Sequence, residues 1–160
     1  MSSQVLTAQQ IAEPGIQAWT RFLRAHAALT RELSTRLEAQ HDLTLRDYDV
    51  LIQLYHAPGR KLRRIDIARQ VLLTASGITR LLDGLEASGL VEKESCESDA
   101  RVTYAVLTKR GIEKCEDASK SHLTDVEELF AANFEPAERQ ALADLLARLP
   151  LAQTAEACES

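Results

Sequence analysis

The chain has 160 residues, of which 45% are hydrophobic and 27% charged. This composition is typical of a folded globular protein and excludes an intrinsically disordered one. No apolar run approaches the ~20 residues of a membrane-spanning helix, and the N-terminal MSSQVLTAQQ lacks the basic and apolar regions of a secretion signal. We therefore expect a cytoplasmic protein without a membrane partner.

The net charge of −5 is distributed unevenly along the chain. Residues 60–110 hold ten Lys and Arg against seven Asp and Glu, a local charge of +3, which leaves nine against seventeen elsewhere. A basic middle between acidic flanks indicates a localised contact with a polyanion.

The cysteine pattern indicates neither a zinc site nor a disulfide framework, because Cys96, Cys115 and Cys158 form no CxxC pair and are odd in number. We expect free thiols, no metal and no cofactor. A reactive thiolate requires positive neighbours, whereas Cys96 is surrounded in the sequence by carboxylates with only Lys93 close by. Redox sensing is therefore disfavoured.

The first predicted element is a long amphipathic helix from Pro14 to about Gln40, with Pro14 in its first turn. Its apolar row consists of Trp19, Phe22, Leu23, His26, Leu29, Leu33 and Leu37. Thr44 is expected to cap a second helix through about His56, which Ala57-Pro58-Gly59 ends. The residues predicted to face inward on this helix are Tyr48, Leu51, Ile52 and Tyr55.

The central third of the chain predicts two short helices followed by a hairpin. Residues 61–63 form a short extended segment, and residues 65–71 a short helix with Ile65 and Ala68 buried. Thr74 is expected to cap the next helix, and Gly89 stands where a left-handed C-terminal residue is needed. Residues 90–96 and 101–107 are strand-like runs, joined by a hairpin tip at residues 97–100.

The last part of the chain predicts two more helices. Thr108 is expected to cap a long helix that reaches about Ala132, and a final helix begins near Pro136. Its apolar residues are Leu142, Leu145, Leu146 and Leu149. The order of elements predicts a mainly α (α+β) fold: a helix-turn-helix with a two-stranded wing, flanked by long N- and C-terminal helices.

The second helix of a helix-turn-helix lies in the major groove of DNA, and here its two faces differ in chemistry. Ser76, Thr79, Arg80, Asp83 and Ala87 share one arc, opposite Ile78, Leu81, Leu82 and Leu85. Small residues and Gly77 allow a close approach, hydroxyls serve phosphates or bases, and Arg80 is suited to a bidentate contact with guanine. Asp83 fits DNA poorly, so we expect it to orient Arg80 or to lie beyond the phosphates.

The wing carries Asp99-Ala100-Arg101 at its tip. An arginine there is able to enter the minor groove, and Asp99 is able to hold its guanidinium in position. Arg64, near a helix N-terminus, is expected to contact a phosphate. The predicted DNA-binding residues are Arg64, Thr74, Ser76, Gly77, Thr79, Arg80, Asp99 and Arg101.

Residues 62–111, LRRIDIARQVLLTASGITRLLDGLEASGLVEKESCESDARVTYAVLTKRG, resemble the DNA-binding core of the multiple-antibiotic-resistance regulator (MarR) family. The resemblance rests on the Ser/Thr-rich recognition helix ending in LxxLExxGLV, the DxR wing and the following LTxxG, and the flanking helices extend it to roughly residues 14–149. It implies a homodimer that binds a pseudo-palindromic operator, usually as a repressor, and often leaves DNA when a small aromatic or phenolic effector binds.

The dimer also has a physical reason, since one winged helix cannot bury the apolar faces of the terminal helices. We therefore assign residues 14–42 and 109–150 to a dimerisation region and residues 43–108 to the winged helix-turn-helix. Residues 1–13 and 151–160 are expected to form N- and C-terminal tails.

The resemblance also implies an effector pocket between the two regions. Candidates by position are Trp19, His26, His41 and Tyr48, with Phe22 and Leu51 as walls, although each of them also fits ordinary core or dimer packing. Peroxide-sensing relatives use a reactive cysteine in the first helix, which this chain lacks.

Two other classes of function remain open. A winged helix can bind protein in place of DNA, in which case its basic face would show no salt-dependent affinity for DNA. An enzyme is disfavoured, because the sequence contains no Ser/His/Asp set, metal-ligand spacing or phosphate loop.

Overall fold

The computed structural model of the protein describes residues 12–71, 75–96, 98–99 and 101–150, and at residues 75 and 76 it describes the backbone alone. Its helices are α1 (Pro14–His41), α2 (Leu45–His56), α3 (Arg64–Gln70), α4 (Ala75–Ala87), α5 (Lys109–Leu129) and α6 (Pro136–Leu146). Its strands are β1 (Lys61–Arg63), β2 (Val91–Ser95) and β3 (Thr103–Leu107), and 3-10 turns occupy Pro58–Arg60 and Ala131–Asn133. The predicted mainly helical winged fold is confirmed.

The first two helices begin where their capping residues predict. The Glu13 carboxylate accepts the backbone N–H of Ile16 at 3.0 Å at the start of α1. Ahead of α2, Thr44 and Asp47 form a reciprocal capping box: the Thr44 hydroxyl accepts the Asp47 N–H, and the Asp47 carboxylate accepts the Thr44 N–H. These bonds satisfy N–H groups that a helix leaves without partners in its first turn.

The wing belongs to a three-stranded antiparallel sheet in the order β1-β3-β2. The sequence predicted a two-stranded wing and a separate extended segment at residues 61–63. That segment pairs with β3. Ala105 of β3 lies between Leu62 of β1 on one side and Lys93 of β2 on the other. The third strand therefore ties the beginning of the helix-turn-helix to the wing.

The prediction that Ile65 is buried is wrong. Helix α3 buries Ile67 and Ala68, whereas Ile65 remains 50% exposed. Ile67 lies about 200° around the helix from Ile65, so the two cannot face the same core.

Helix α4 ends in the predicted left-handed glycine, Gly89, at a φ of 72°. The N–H of Gly89 donates to the Glu86 carbonyl at 2.8 Å, and the N–H of Leu90 donates to the Leu85 carbonyl at 2.9 Å. This turn directs the chain straight into β2. The predicted Thr74 cap lies outside the described residues.

Helix α5 begins at a junction with the end of α4. The Thr108 hydroxyl accepts the N–H of Gly111 and donates to the Gly89 carbonyl at 2.7 Å. A Cβ on Gly111 would stand 2.1 Å from the Leu90 carbonyl oxygen. The backbones therefore approach more closely than any larger residue allows, which gives the LTxxG pattern its physical reason.

The core is formed by the middle of the chain together with the C-terminal end of α1 and the first half of α5. It contains Leu37, Leu43, Tyr48, Val50, Leu51, Leu54, Ile67, Ala68, Ile78, Leu82, Leu85, Leu90, Val91, Ala105, Leu107, Cys115 and Ala118. In contrast, α6 has no buried residue, and α1 buries only Leu37. Trp19 is 57% exposed on α1 and Leu145 is 53% exposed on α6.

A charged cluster joins α1 to α5. Arg36 donates to the Asp125 carboxylate at 2.8 Å and to Glu128 at 3.1 Å, and it also pairs with Glu32 of its own helix. Arg36 lowers the pKa of Glu128 by hydrogen bonding to its carboxylate. In the described part of the chain, no helix combines the length and apolar character needed to cross a membrane.

Candidate nucleic-acid interface

The two faces of α4 differ as the sequence predicts. Ile78, Leu82 and Leu85 are at most 3% exposed, whereas Arg80 and Asp83 lie exposed. Within the described residues, the Arg80 guanidinium takes part in no ion pair, which leaves its donors available to a ligand. The side chain of Ser76 lies outside the described residues.

Arg64 lies beside the recognition helix, because the Arg64 guanidinium donates to the Thr79 hydroxyl at 3.2 Å. The two side chains line a cavity of about 120 Å³ between α4 and the sheet, together with Leu82, Lys93, Thr103, Tyr104 and Ala105. The structure thus brings together Arg64 at the start of α3 and Thr79 in α4, with Gly77 two residues before Thr79 in the same helix.

Asp83 does not orient Arg80, contrary to one of the two roles expected for it. Its carboxylate accepts a hydrogen bond from the Lys93 ammonium at 2.5 Å, and Glu86 accepts a second from the same ammonium at 3.0 Å. These two bonds raise the pKa of Lys93. The sequence analysis did not single out Lys93. The alternation of side chains along a strand could have indicated it, because it puts Lys93 on one face of β2 and its neighbours on the other.

The tip of the wing shows Asp99 in a different role from the predicted one. The Asp99 carboxylate accepts the backbone N–H of Arg101 at 3.0 Å, and the Asp99 carbonyl accepts the N–H of Val102 at 3.0 Å. Asp99 therefore shapes the turn and contacts the backbone of Arg101, not its guanidinium. Arg101 is exposed, and Ala100 lies outside the described residues.

The environment of Cys96 also differs from expectation. Its thiol lies 3.1 Å from the Ser98 hydroxyl, and hydrogen bonds from Ser98 lower the pKa of Cys96, although the charge of Asp99 opposes this shift. Acidic neighbours in the sequence had predicted the opposite. Burial raises the pKa of Cys115, and Cys158 lies outside the described residues.

The four candidate effector residues fall into two separate groups. The ring centroids of Trp19 and Phe22 are 6.3 Å apart, as are those of Phe22 and His26, and the three rings form an exposed row on α1. At 1.5 Å per residue, Trp19 and His41 are about 33 Å apart along this helix, so they cannot line one pocket within a single chain.

The other two candidates lie where α1, α2 and α5 meet. His41 Nε2 is 2.6 Å from the Ser121 hydroxyl, and the Tyr48 hydroxyl is 3.0 Å from that of Ser119. The predicted wall residue Leu51 is fully buried in the core. His41 and Tyr48 therefore sit at the seam between the terminal helices and the winged domain.

Sequence reasoning missed His122, which belongs to this seam. Its ring lies 4.6 Å from that of Tyr48, and its buried Nδ1 has no hydrogen-bond partner among the described residues. Burial lowers the pKa of His122, and the charge of Asp125 opposes this shift. The signal was a helical row on α5, in which Cys115, Ala118, His122 and Asp125 recur at three- and four-residue spacing.

Comparison with known proteins gives consistent matches over most of the chain. The sequence model of the MarR family matches residues 41–102. The HTH-type transcriptional regulator YdgJ of Bacillus subtilis is 27% identical over 93% of this chain and 94% of its own length. The HTH-type transcriptional regulator MhqR of the same organism is 26% identical over 88% of this chain and 94% of its own.

Solved structures agree with these sequence matches. AbsC, a MarR family transcriptional regulator from Streptomyces coelicolor, superposes with a TM-score of 0.78 at 28% identity, covering 90% of this chain and 93% of its own. A second MarR family regulator from that organism, solved in complex with DNA, gives a TM-score of 0.79 at 25% identity, covering 91% and 88%. The chain is therefore similar to MarR family transcriptional regulators, over residues 41–102 in the family model and over most of its length in the fold.

Proposed function

We propose that the protein binds DNA sequence-specifically and represses transcription, as a homodimer on a pseudo-palindromic operator. Helix α4 enters the major groove, and the hairpin of β2 and β3 reaches the adjacent minor groove. The observation that carries the proposal is the outer face of α4, where exposed Arg80 takes part in no ion pair among the described residues. The related regulator solved in complex with DNA supports it.

The proposed homodimer divides the chain into the regions expected from the sequence. Residues 14–42 and 109–150 pack against a second copy, and residues 43–108 form the DNA-binding domain. The exposed apolar residues of α1 and α6 support this division, since the described residues of their own chain do not bury them. A two-fold dimer would place its recognition helices about 34–36 Å apart, one turn of DNA. We place this dimer in the cytoplasm.

The DNA-binding residues divide by role. Arg80 reads a base edge, and Arg101 enters the minor groove. Arg64 contacts phosphates. Thr79, hydrogen-bonded to Arg64, completes that contact. Thr74, Ser76 and Gly77 are the further DNA contacts that the sequence predicts, and Asp99 shapes the loop that presents Arg101.

The proposal extends to a small aromatic or phenolic effector that releases DNA. His41 and Tyr48 are placed to report on such a ligand, because they join α1 and α2 to α5. Trp19 and His26 reach the same ligand only if a second copy brings its α1 alongside. Trp19 is the one tryptophan of the chain, so its fluorescence is a direct probe. Titration with a phenolic carboxylate should change that fluorescence and release bound DNA in parallel.

Selection from a random pool of DNA duplexes tests the central proposal. We expect enrichment of an inverted repeat with half-sites one helical turn apart. On that sequence, Arg80→Ala should cost about 1–3 kcal/mol and relax the preference at one position per half-site. Arg64→Ala should weaken specific and non-specific binding alike and reduce the salt slope by about one. Equal losses on all sequences for Arg80→Ala would contradict its reading role.

A double-mutant cycle tests the wing. Arg101→Ala should reduce affinity more for operators with A·T-rich flanks, where the narrow groove holds the stronger negative potential. Asp99→Ala should act in the same direction, but less, because it loosens the turn that presents Arg101. Losses that ignore the flanking sequence would reduce Arg101 to a phosphate contact. Folded protein without salt-dependent affinity for any duplex would favour the protein-binding class of winged helix.

A further inference from the structure

The recognition helix carries two carboxylates on the side that faces the wing. Asp83 lies about 60° around the helix from Arg80, and Glu86 lies about 60° beyond Asp83. Both side chains are substantially exposed, at 53% and 43%. Duplex DNA carries one negative charge per ~1.7 Å of its axis, so two unpaired carboxylates at this position would oppose the approach of α4.

Lys93 is placed to neutralise this side of the helix. It is the only cation in β2, and its ammonium lies 2.5 Å from the Asp83 carboxylate and 3.0 Å from that of Glu86. The next residue, Glu94, faces the other side of the sheet, where Lys61 of β1 pairs with it at 2.9 Å. Lys93 thus serves the α4 side of the strand.

We propose that Lys93 makes the acidic flank of α4 compatible with DNA by masking Asp83 and Glu86, without itself contacting a phosphate. The inference rests on the proposed DNA-binding function. The ammonium has three donors, and two of them are engaged by the carboxylates. The masked trio carries a net charge of −1, against −2 if the lysine is removed.

Because Lys93, Asp83 and Glu86 are exposed, we expect their ion pairs to affect the affinity for DNA more than the folding stability. Exposed ion pairs contribute little to folding stability, and Lys93 is 40% exposed. The loss of the cation should therefore leave the fold intact and change the affinity for DNA. A purely structural role would show the reverse pattern, a lower melting temperature with unchanged affinity.

The test measures binding of a mixed-sequence 30-base-pair duplex by fluorescence anisotropy at about 0.1 M salt. Lys93→Met should weaken binding by about five- to tenfold. Asp83→Asn with Glu86→Gln should strengthen it by a similar factor. The triple variant, in which the trio is neutral, should bind at least as tightly as the natural protein. Lys120→Met, which breaks an exposed pair with Asp117 on α5, is the control for losing one charge elsewhere.

Three outcomes would overturn the inference while leaving the proposed function in place. Lys93→Met binding as tightly as the natural protein would show that no masking occurs. A triple variant as weak as Lys93→Met would show a direct phosphate contact. A weakened double variant would show that the ion pair orients the wing. Failure of the natural protein to bind the duplex would instead overturn the proposed function and this inference with it.

Discussion

Several leucines in the middle of the chain are buried, whereas several in the first and last described helices lie exposed. Leu51 and Leu54 in α2 have no exposed surface, while Leu23 in α1 is 44% exposed and Leu145 in α6 is 53% exposed. The apolar rows of both regions are typical of helices that pack on a core. The two regions differ in packing: other described residues of the same chain cover the apolar row of α2, whereas much of the apolar rows of α1 and α6 stays uncovered.

The comparison separates two sources of stability. Residues 43–108 close their core with the end of α1 and the start of α5, so their stability is a property of one chain. Exposed apolar rows gain free energy only when another surface covers them. Under the proposed dimer, the order of the terminal helices therefore depends on protein concentration.

The largest expected effect tests the first half of this comparison. Leu51→Ala removes a fully buried side chain and should lower the free energy of unfolding by about 2–5 kcal/mol. Urea denaturation followed by circular dichroism measures the loss, which should be the same at low and high protein concentration. A loss that grows on dilution would show that the middle of the chain also depends on the second copy.

The joint between the two regions gives the next effect. Gly111→Ala should destabilise the protein by at least about 1–3 kcal/mol, because its Cβ would meet the Leu90 carbonyl oxygen and the Leu107 side chain. Gly84→Ala is the matched control. A Cβ on Gly84 meets nothing within 4 Å, so this change should stabilise α4 by about 0.5–1 kcal/mol. Thermal melts that shift in the same direction for both variants would refute the close approach.

Trp19 tests the second half of the comparison. Trp19→Ala should weaken self-association by about tenfold, or ~1.4 kcal/mol, because an exposed aromatic row is typical of an interface anchor. Analytical ultracentrifugation over a dilution series measures this change. Unfolding of the winged domain should keep its midpoint when both proteins are compared as monomers. Unchanged self-association would place Trp19 outside the dimer contact.

The smallest effect concerns the seam between the regions. Since burial lowers the pKa of His122, the unfolded chain takes up a proton at higher pH than the native one. The contribution of neutral His122 to stability is therefore complete above about pH 6.5 and declines as the pH falls toward the native pKa. His122→Phe keeps the ring against Tyr48 and should flatten this decline in urea titrations at pH 7.5 and 5.5. His56→Phe, at an exposed histidine, is the control; equal slopes for both variants would contradict the prediction.

The elements were predictable because their signals are local. Thr44, Gly89 and Thr108 mark helix ends through bonds to residues a few positions away, and all three mark them in the structure. The buried face of α4 followed from its spacing alone. The exposure of Ile65 could not be predicted in this way, because a helix of seven residues shows too little periodicity to indicate which face is buried.

The unpredicted parts of the site depend on pairings between distant residues. The partner of Lys93 is set by how β2 lies against α4, and no sequence pattern encodes that distance. The same holds for His122, which meets Tyr48 only because α5 packs across α2. Asp99 was assigned to the guanidinium of Arg101, but a short side chain two residues away reaches the backbone N–H first.

The junction at Thr108 fixes the first turn of α5, so that this helix can move only by tilting about that end. The Thr108 N–H donates to the Leu90 carbonyl and its hydroxyl to the Gly89 carbonyl, which fixes one end of the helix to the turn between α4 and β2. The 21 residues of α5 form an arm of about 32 Å, so a displacement of about 3 Å at its far end corresponds to a tilt of only about 5°. A displacement of several ångströms among the terminal helices would therefore reach the wing and α4 only as a rotation of a few degrees.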